Sequence, residues 1–257
     1  MPVQLYNANG SANHQPQRIE RKFYLLPEKI GLAYGLLRHV CRPDGNYPSE
    51  QINSLYFDTV DLDQHENSLA GDFRKEKVRI RWYGQDHARH VTQTVYLELK
   101  SRQGFASTKR RRELQVPPES LALGRLGNGI VSRTLLRDTL AQFGYFPPEP
   151  LLPIIKISYW RYRLAEILTG QRVALDCHIR STVVARGIGY GERELELLGG
   201  VLEVKGTGLQ LPKPLSQIRI LGLDWSRFSK YSSCVDAHNL EPGSVGRLSP
   251  TGRIIHL

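Results

Sequence analysis

Apolar and polar residues alternate with a period of two in one segment of the chain after another, so residues two apart fall on the same side of an extended strand. In RIERKFYL, Arg18, Glu20 and Lys22 share one side, while Ile19 and Phe23 take the other. In KVRIRWYG, Lys77, Arg79 and Arg81 alternate with Val78, Ile80 and Trp82, an amphipathic strand with one wholly cationic face. VYLELKSR sets Glu98 and Lys100 against Leu97 and Leu99, and RVALDCHIR sets Arg172 and Asp176 against Val173, Leu175 and Cys177. VLEVKGTG puts Glu203 and Lys205 opposite Leu202 and Val204, and KISYWRYRL carries the row Tyr159, Arg161 and Arg163.

Helical spacing is scarcer. Pro27 followed by Ile30, Tyr34, Leu37 and Val40 predicts a helix with proline in its first turn. Ser132 ahead of Leu135, Leu136, Leu140 and Phe143 predicts another, with Gly144 as its stop. The run PPEPLLP, Pro147 to Pro153, reads as a connection within one fold, because similar strand patterns resume beyond it. Residues 1–16, rich in Asn, Gln and Ser, predict a flexible arm, residues 17–235 one domain, and residues 236–257 a flexible tail. The fold class is α+β and β-dominated, a closed antiparallel β-barrel tunnel flanked by helices.

For any single strand, the charged row is adequately explained as the solvated face of an antiparallel sheet. A solvated face mixes Thr, Ser, Lys and Glu, however, and here Arg and Lys dominate strand after strand. Like charges opposite one another destabilise a sheet unless an anion lies among them. A barrel with a polar interior supplies that geometry. In such an interior a pair of unit charges 4 Å apart is worth about 4 kcal/mol, against about 1 kcal/mol in bulk water. The chain as a whole carries a net charge of +10, which concentrates polyanions.

Composition removes other classes. With 257 residues and 40% hydrophobic content the chain can bury a real core. Cys41, Cys177 and Cys234 are scattered, without disulfide or metal-knuckle spacing, which fits a reducing cytoplasm. No apolar run approaches the roughly 20 residues that span a bilayer, and the polar stretch from Tyr6 to Gln17 has no signal-peptide core. The histidines lack HExxH spacing, and there is no GxxxxGK[ST] loop or GxSxG elbow. Glu20, Glu98 and Glu203 share faces with the cations, where a carboxylate either pairs with a neighbouring base or holds Mg²⁺ or Mn²⁺ against phosphate oxygens. The aromatic residues fall mostly on the apolar faces, which argues against single-stranded nucleic acid as partner.

The segments RIERKF, SLYFDT, KVRIRWYG, YLELK, STKRR, YWRYR, RVALD, LEVKG and FSKY follow one another in the order found in the triphosphate tunnel metalloenzymes. The chain most resembles the polyphosphate-polymerase domain of the vacuolar transporter chaperone proteins and their bacterial relatives, over about Arg18 to Ser233. That resemblance implies a barrel of roughly eight strands in which a metal-bound nucleoside triphosphate, ATP for instance, passes its terminal phosphoryl group to a growing polyphosphate. It implies Lys22, Arg79, Arg81, Lys100, Arg161, Arg172 and Lys230 as the catalytic bases. Lys109, Arg111, Tyr159 and Lys205 would add substrate contacts, and Glu203, with Glu20 and Glu98, would bind the Mn²⁺ or Mg²⁺ ion.

Two registers stay open at this stage: Lys109 against the arginines that follow it, and Arg161 against Arg163. Many hydrolytic and cyclase relatives begin ExExK, whereas here Arg18 stands in the first acid's place. Fewer acids favour transfer over hydrolysis, because transfer depends on positioning and charge neutralisation. The rivals are a triphosphate hydrolase of the same superfamily and a non-catalytic polyphosphate-binding module. Any membrane role would require a separate partner.

Overall fold

The computed structural model describes residues 19–84, 92–104, 106–185, 193–206, 210–222, 225–226 and 228–238. The alternating segments form strands. In chain order these are β1 (Ile19–Leu25), β2 (Cys41–Pro43), β3 (Ser49–Asp58), β4 (Arg74–Tyr83), β5 (Gln93–Gln103) and β6 (Ala106–Val116), followed by β7 (Leu152–Glu166), β8 (Arg172–Val183), β9 (Glu194–Leu197), β10 (Gly200–Gly206) and β11 (Trp225–Ser226). The helices are α1 (Pro27–Val40), α2 (Asp63–Leu69), α3 (Leu123–Leu126), α4 (Arg133–Gln142) and α5 (Lys230–Ala237), with a 3-10 segment at Lys213–Leu221.

Both sequence-predicted helices are present as α1 and α4. Pro27 occupies the first turn of α1. The Ser132 hydroxyl accepts the Leu135 N–H at 3.2 Å, and α4 gives way to Gly144 at φ +71°. The predicted arm, Arg18, and most of the predicted tail lie outside the described residues. The domain end placed at residue 235 falls inside α5, and His238 beyond it is buried beside Ser181.

The strands form one antiparallel sheet in the order β11-β1-β10-β8-β7-β3-β4-β5-β6, with β2 added to β7 and β9 to β8. The eight long strands curl into a half-barrel. No pairing joins β6 to β1 or β11 among the described residues, so the closed barrel expected from sequence is corrected to an open one. Closure requires hydrogen bonding on both sides of every strand. Here the two rims would bring Lys100 and Lys109 toward Lys22 and Lys205, like charges that oppose strand pairing. The two ends of the sheet approach through side chains instead: Lys100 of β5, next to the edge strand β6, reaches Glu20 of β1 at 3.1 Å.

The convex face carries the apolar members of the alternation. Phe23, Leu25, Leu175, Leu202 and Val204 pack beneath α1 and the 3-10 segment. Leu55, Val78, Ile80, Trp82, Leu97 and Leu99 pack beneath α3 and α4. Arg21 is the exception: it is 2% exposed on this face and donates from Nη2 to Gln171 at 3.4 Å. Its Nε and Nη1 have no hydrogen-bond partner among the described residues.

A third cluster lies on the concave side, where Tyr231, Cys234 and Val235 of α5 bury Ile52, Tyr56, Ile155, Ile157 and Tyr159. The alternation in β8 slips to allow this. His178 adopts φ +52°, and the register jumps from Trp160↔Cys177 to Ser158↔Arg180, so two residues of β8 oppose Tyr159 alone. Even-numbered Asp176 faces inward before the bulge, and odd-numbered Ile179 and Val183 face inward after it. One end of the concavity is therefore filled by α5 and apolar, and the other remains polar. Cys41, Cys177 and Cys234 are free and buried.

Candidate phosphate-binding groove

The strand register fixes which charges face one another. Arg81 lies beside Ser54 and Tyr96, Arg79 beside Tyr56 and Glu98, and Lys77 beside Lys100, which in turn faces Lys109 of β6. On the opposite wall Lys22 pairs with Glu203, Glu20 with Lys205, and Lys205 with Arg172. Arg161 sits across from Asp176 and Glu50. Cations from the strands thus converge on one concave surface, and α5 contributes Lys230 at its first turn.

Acids hold these cations apart. Arg161 grips Asp176 with Nε at 2.6 Å and Nη2 at 2.7 Å, and Lys230 reaches the same carboxylate at 2.5 Å. Burial alone would raise the Asp176 carboxyl, yet Arg161 and Lys230 keep it below the ordinary aspartate range. Arg79 bonds Glu98 at 2.7 Å and the Tyr56 hydroxyl at 2.9 Å, while Lys109 closes on the other Glu98 oxygen. Arg81, 7% exposed, donates to the Tyr159 hydroxyl at 3.1 Å.

Glu203 and Glu20 are hydrogen-bonded to each other, and Lys205 approaches them at 2.8 and 3.6 Å. Burial works to raise Glu203, but Glu20, Lys205, Arg161 and Lys22 hold it well below the usual carboxylate range. Two carboxyl groups sharing Lys205 on the cationic face fit a hard divalent cation. No group of three or more His, Cys, Asp or Glu side chains occurs among the described residues, so such an ion would take its remaining ligands from phosphate or water.

A family model for the VTC domain matches residues 17–239. The chain belongs to the VTC domain family. No curated protein matches it. Among solved structures it is similar to a candidate adenylate cyclase from Bacillus halodurans, at 17% identity and a TM-score of 0.48, covering 83% of this chain and 94% of that one. A second candidate adenylate cyclase, from Vibrio parahaemolyticus, aligns at 9% identity and 0.38 over 83% and 94%. The Schizosaccharomyces pombe Mediator head module aligns at 8% and 0.31 over 86% and 95%.

In this VTC domain the strand register shows where the residues of the two open registers lie. Lys109 and Arg111 face the groove, whereas Arg110 and Arg112 lie on the convex side, where Arg112 bonds Thr139 of α4 at 3.0 Å. Arg161 points to the centre, and Arg163 pairs with Glu50 nearer the rim. Arg172 is placed at the exposed mouth, away from the deep cluster.

Phe23, Tyr34, Phe57, Trp82, Phe143, Tyr145 and Tyr162 do lie in or against the apolar clusters of the convex face, but three tyrosines do not. Tyr56, Tyr96 and Tyr159 stand on the cationic face, with the Arg111 guanidinium 3.4 Å above the Tyr96 ring and those of Arg79 and Arg161 at 5.7 and 5.4 Å from Tyr56 and Tyr159. Their ring faces are occupied by arginine. Three further groove residues were visible in the strand pattern or the FSKY segment without being singled out: Asp176, Lys77 and Ser229.

Burial raises the Glu98 carboxyl, but Arg79, Arg81 and Lys109 bring it down to about 2, below its ordinary 4.5. Its ionisation therefore contributes stability that is complete above pH 4.5 and lost as the pH falls toward 2. The urea midpoint is expected to drop across that window, and Glu98→Gln to flatten the slope. A wild-type midpoint indifferent to pH there would mean that the Arg79–Glu98–Lys109 cluster does not form in solution.

Proposed function

We propose that this VTC domain is a metal-dependent polyphosphate polymerase, transferring the terminal phosphoryl group of a nucleoside triphosphate to an inorganic polyphosphate chain lying in the groove. The observation that carries the reading is the gathering of Lys22, Arg79, Arg81, Lys100, Arg161 and Lys230 on one concave surface, with Glu20 and Glu203 among them contacted by Lys22, Lys100, Lys205 and Arg161. Repeated cations at strand spacing match a repeating anion, and their mutual repulsion falls when one is bound. Glu203 and Glu20 would hold the Mn²⁺ or Mg²⁺, which supplies charge neutralisation on the phosphoryl oxygens.

Glu98 and Asp176 are each held between two cations, Arg79 and Lys109 for the first and Arg161 and Lys230 for the second, whereas Glu20 and Glu203 share a neighbour, Lys205. That distribution favours transfer over triphosphate hydrolysis. No helix among the described residues is long and apolar enough to cross a membrane. Purified protein incubated with ATP and Mn²⁺ is expected to give a ladder of polyphosphate on a stained gel. Orthophosphate without chains would assign hydrolysis, and tight polyphosphate binding without either product would assign a binding module.

A further inference from the structure

Lys77 differs from the other deep cations of the groove in what it touches. Its Nζ lies 2.6 Å from the Ser229 hydroxyl and 3.1 Å from that of Ser68. No acid is ion-paired with it among the described residues, and its other neighbour is the Tyr231 ring, 5.8 Å to the centroid. Ser229 is the N-cap of α5, where its oxygen also receives the Ser232 N–H at 3.3 Å and the Ser232 hydroxyl at 3.2 Å. Lys22, from the opposite wall, bonds the preceding carbonyl of Phe228 at 3.3 Å. The hydroxyl of Ser229 is thus set between a lysine amine and the cations that would hold a triphosphate.

We propose that Ser229 is a phosphoryl acceptor and Lys77 its general base. The inference rests on the reading that a nucleoside triphosphate occupies the groove. Lys77 takes the hydroxyl proton, a bond forms from Ser229 Oγ to the terminal phosphorus, and the bond from that phosphorus to the bridging oxygen breaks. The nucleoside diphosphate leaves, and Ser229 becomes a phosphoserine. The new phosphate lies at the N-terminus of α5, where backbone N–H groups and the helix dipole favour it, beside Lys22 and Lys77. A primer-free transferase would thereby gain a protein-bound first acceptor.

The amine is suited to the role. Burial lowers Lys77, and Lys22 of β1, Lys100 of β5, and Lys75 and Arg79 of β4 lower it further, to about 7. The groups facing it from α2 and α5 are the neutral Ser68, Ser229 and Tyr231. Near neutral pH part of the population therefore holds a free amine, as a Ser–Lys pair requires.

The test uses the full chain with Mn²⁺ and ATP labelled in the terminal phosphate, followed by denaturation in acid, which releases trapped polyphosphate and any phospholysine but leaves phosphoserine. Acid-stable label in the peptide containing Ser229 is expected, with a rate that rises as pH passes through about 7. Ser229→Asn keeps a good helix cap and is expected to carry no label. Lys77→Arg keeps the charge but takes no proton, and labelling is expected to fall about a hundred-fold. Polymer formation without acid-stable label would overturn the inference and leave the polymerase reading standing. Label on Ser229 without polymer would do the reverse. Label on a different residue, or labelling unchanged in Lys77→Arg, would overturn the proposed pair, and nucleotide left unconsumed with no label would overturn both readings.

Discussion

Asp176→Ala is expected to destabilise the protein by about 3 to 5 kcal/mol, the cost of leaving buried cations without their partner. Asp176 is fully buried, and among the described residues it is the acid ion-paired with both Arg161 and Lys230, whose side chains are 13% and 11% exposed. Asp176 raises both cations, overriding burial, which works to lower them. Without it the two positive groups face each other over the Tyr159 ring, at 5.4 and 4.8 Å from its centroid. Thermal denaturation followed by circular dichroism should show a midpoint roughly 6 to 20 °C lower. Tripolyphosphate should restore more of the midpoint in the variant than it adds to wild type, because the anion takes over the carboxylate's role. A variant melting within about a degree of wild type would rule out Asp176 as the electrostatic centre of the groove.

Glu203→Gln should instead leave the fold intact and remove nucleotide turnover by about a hundred-fold or more, with weaker dependence on Mn²⁺. The side chain is 6% exposed, and its neighbours Lys205 at 2.8 Å and Arg161 at 3.8 Å keep other partners, Glu20 and Asp176. Glutamine keeps the shape and one acceptor oxygen but not the charge that a divalent ion needs. Titration of Mn²⁺ against activity distinguishes a lost ligand from a lost phosphate contact, since only the former moves the metal midpoint. Unchanged turnover at unchanged Mn²⁺ would remove Glu203 from the metal role.

Strand alternation made the groove's composition legible before its shape. Lys77, Arg79 and Arg81 had to share a face because Val78, Ile80 and Trp82 had to share the other, and one buried face fixes the register of the whole strand. The same logic placed Glu98 with Lys100 and Glu203 with Lys205. What the sequence could not carry was contact between distant segments. The Lys100–Glu20 and Lys77–Ser229 pairs are 80 and 152 residues apart, and no local period reports them. The bulge at His178 lay equally out of view, since a single left-handed residue inverts the faces beyond it without disturbing the apolar count. Tyr159 was legible in its row with Arg161 and Arg163, whereas Tyr56 and Tyr96, in segments without a neighbouring run of arginines, were not.

A ring must be threaded, and a polymer inside one leaves only by sliding past its end. This sheet is a clip. Its two ends, β11 with β1 and β5 with β6, are bridged by a half-exposed lysine of β5 on a carboxylate of β1 at 3.1 Å, and no ladder of backbone bonds joins them among the described residues. Opening such a bridge costs on the order of 1 kcal/mol, so a chain many times the length of the groove can enter or leave through the side. For the polymerase proposed above, release would then be independent of product length, and rising salt, which weakens the bridge and the grip together, should shorten the products by freeing them early.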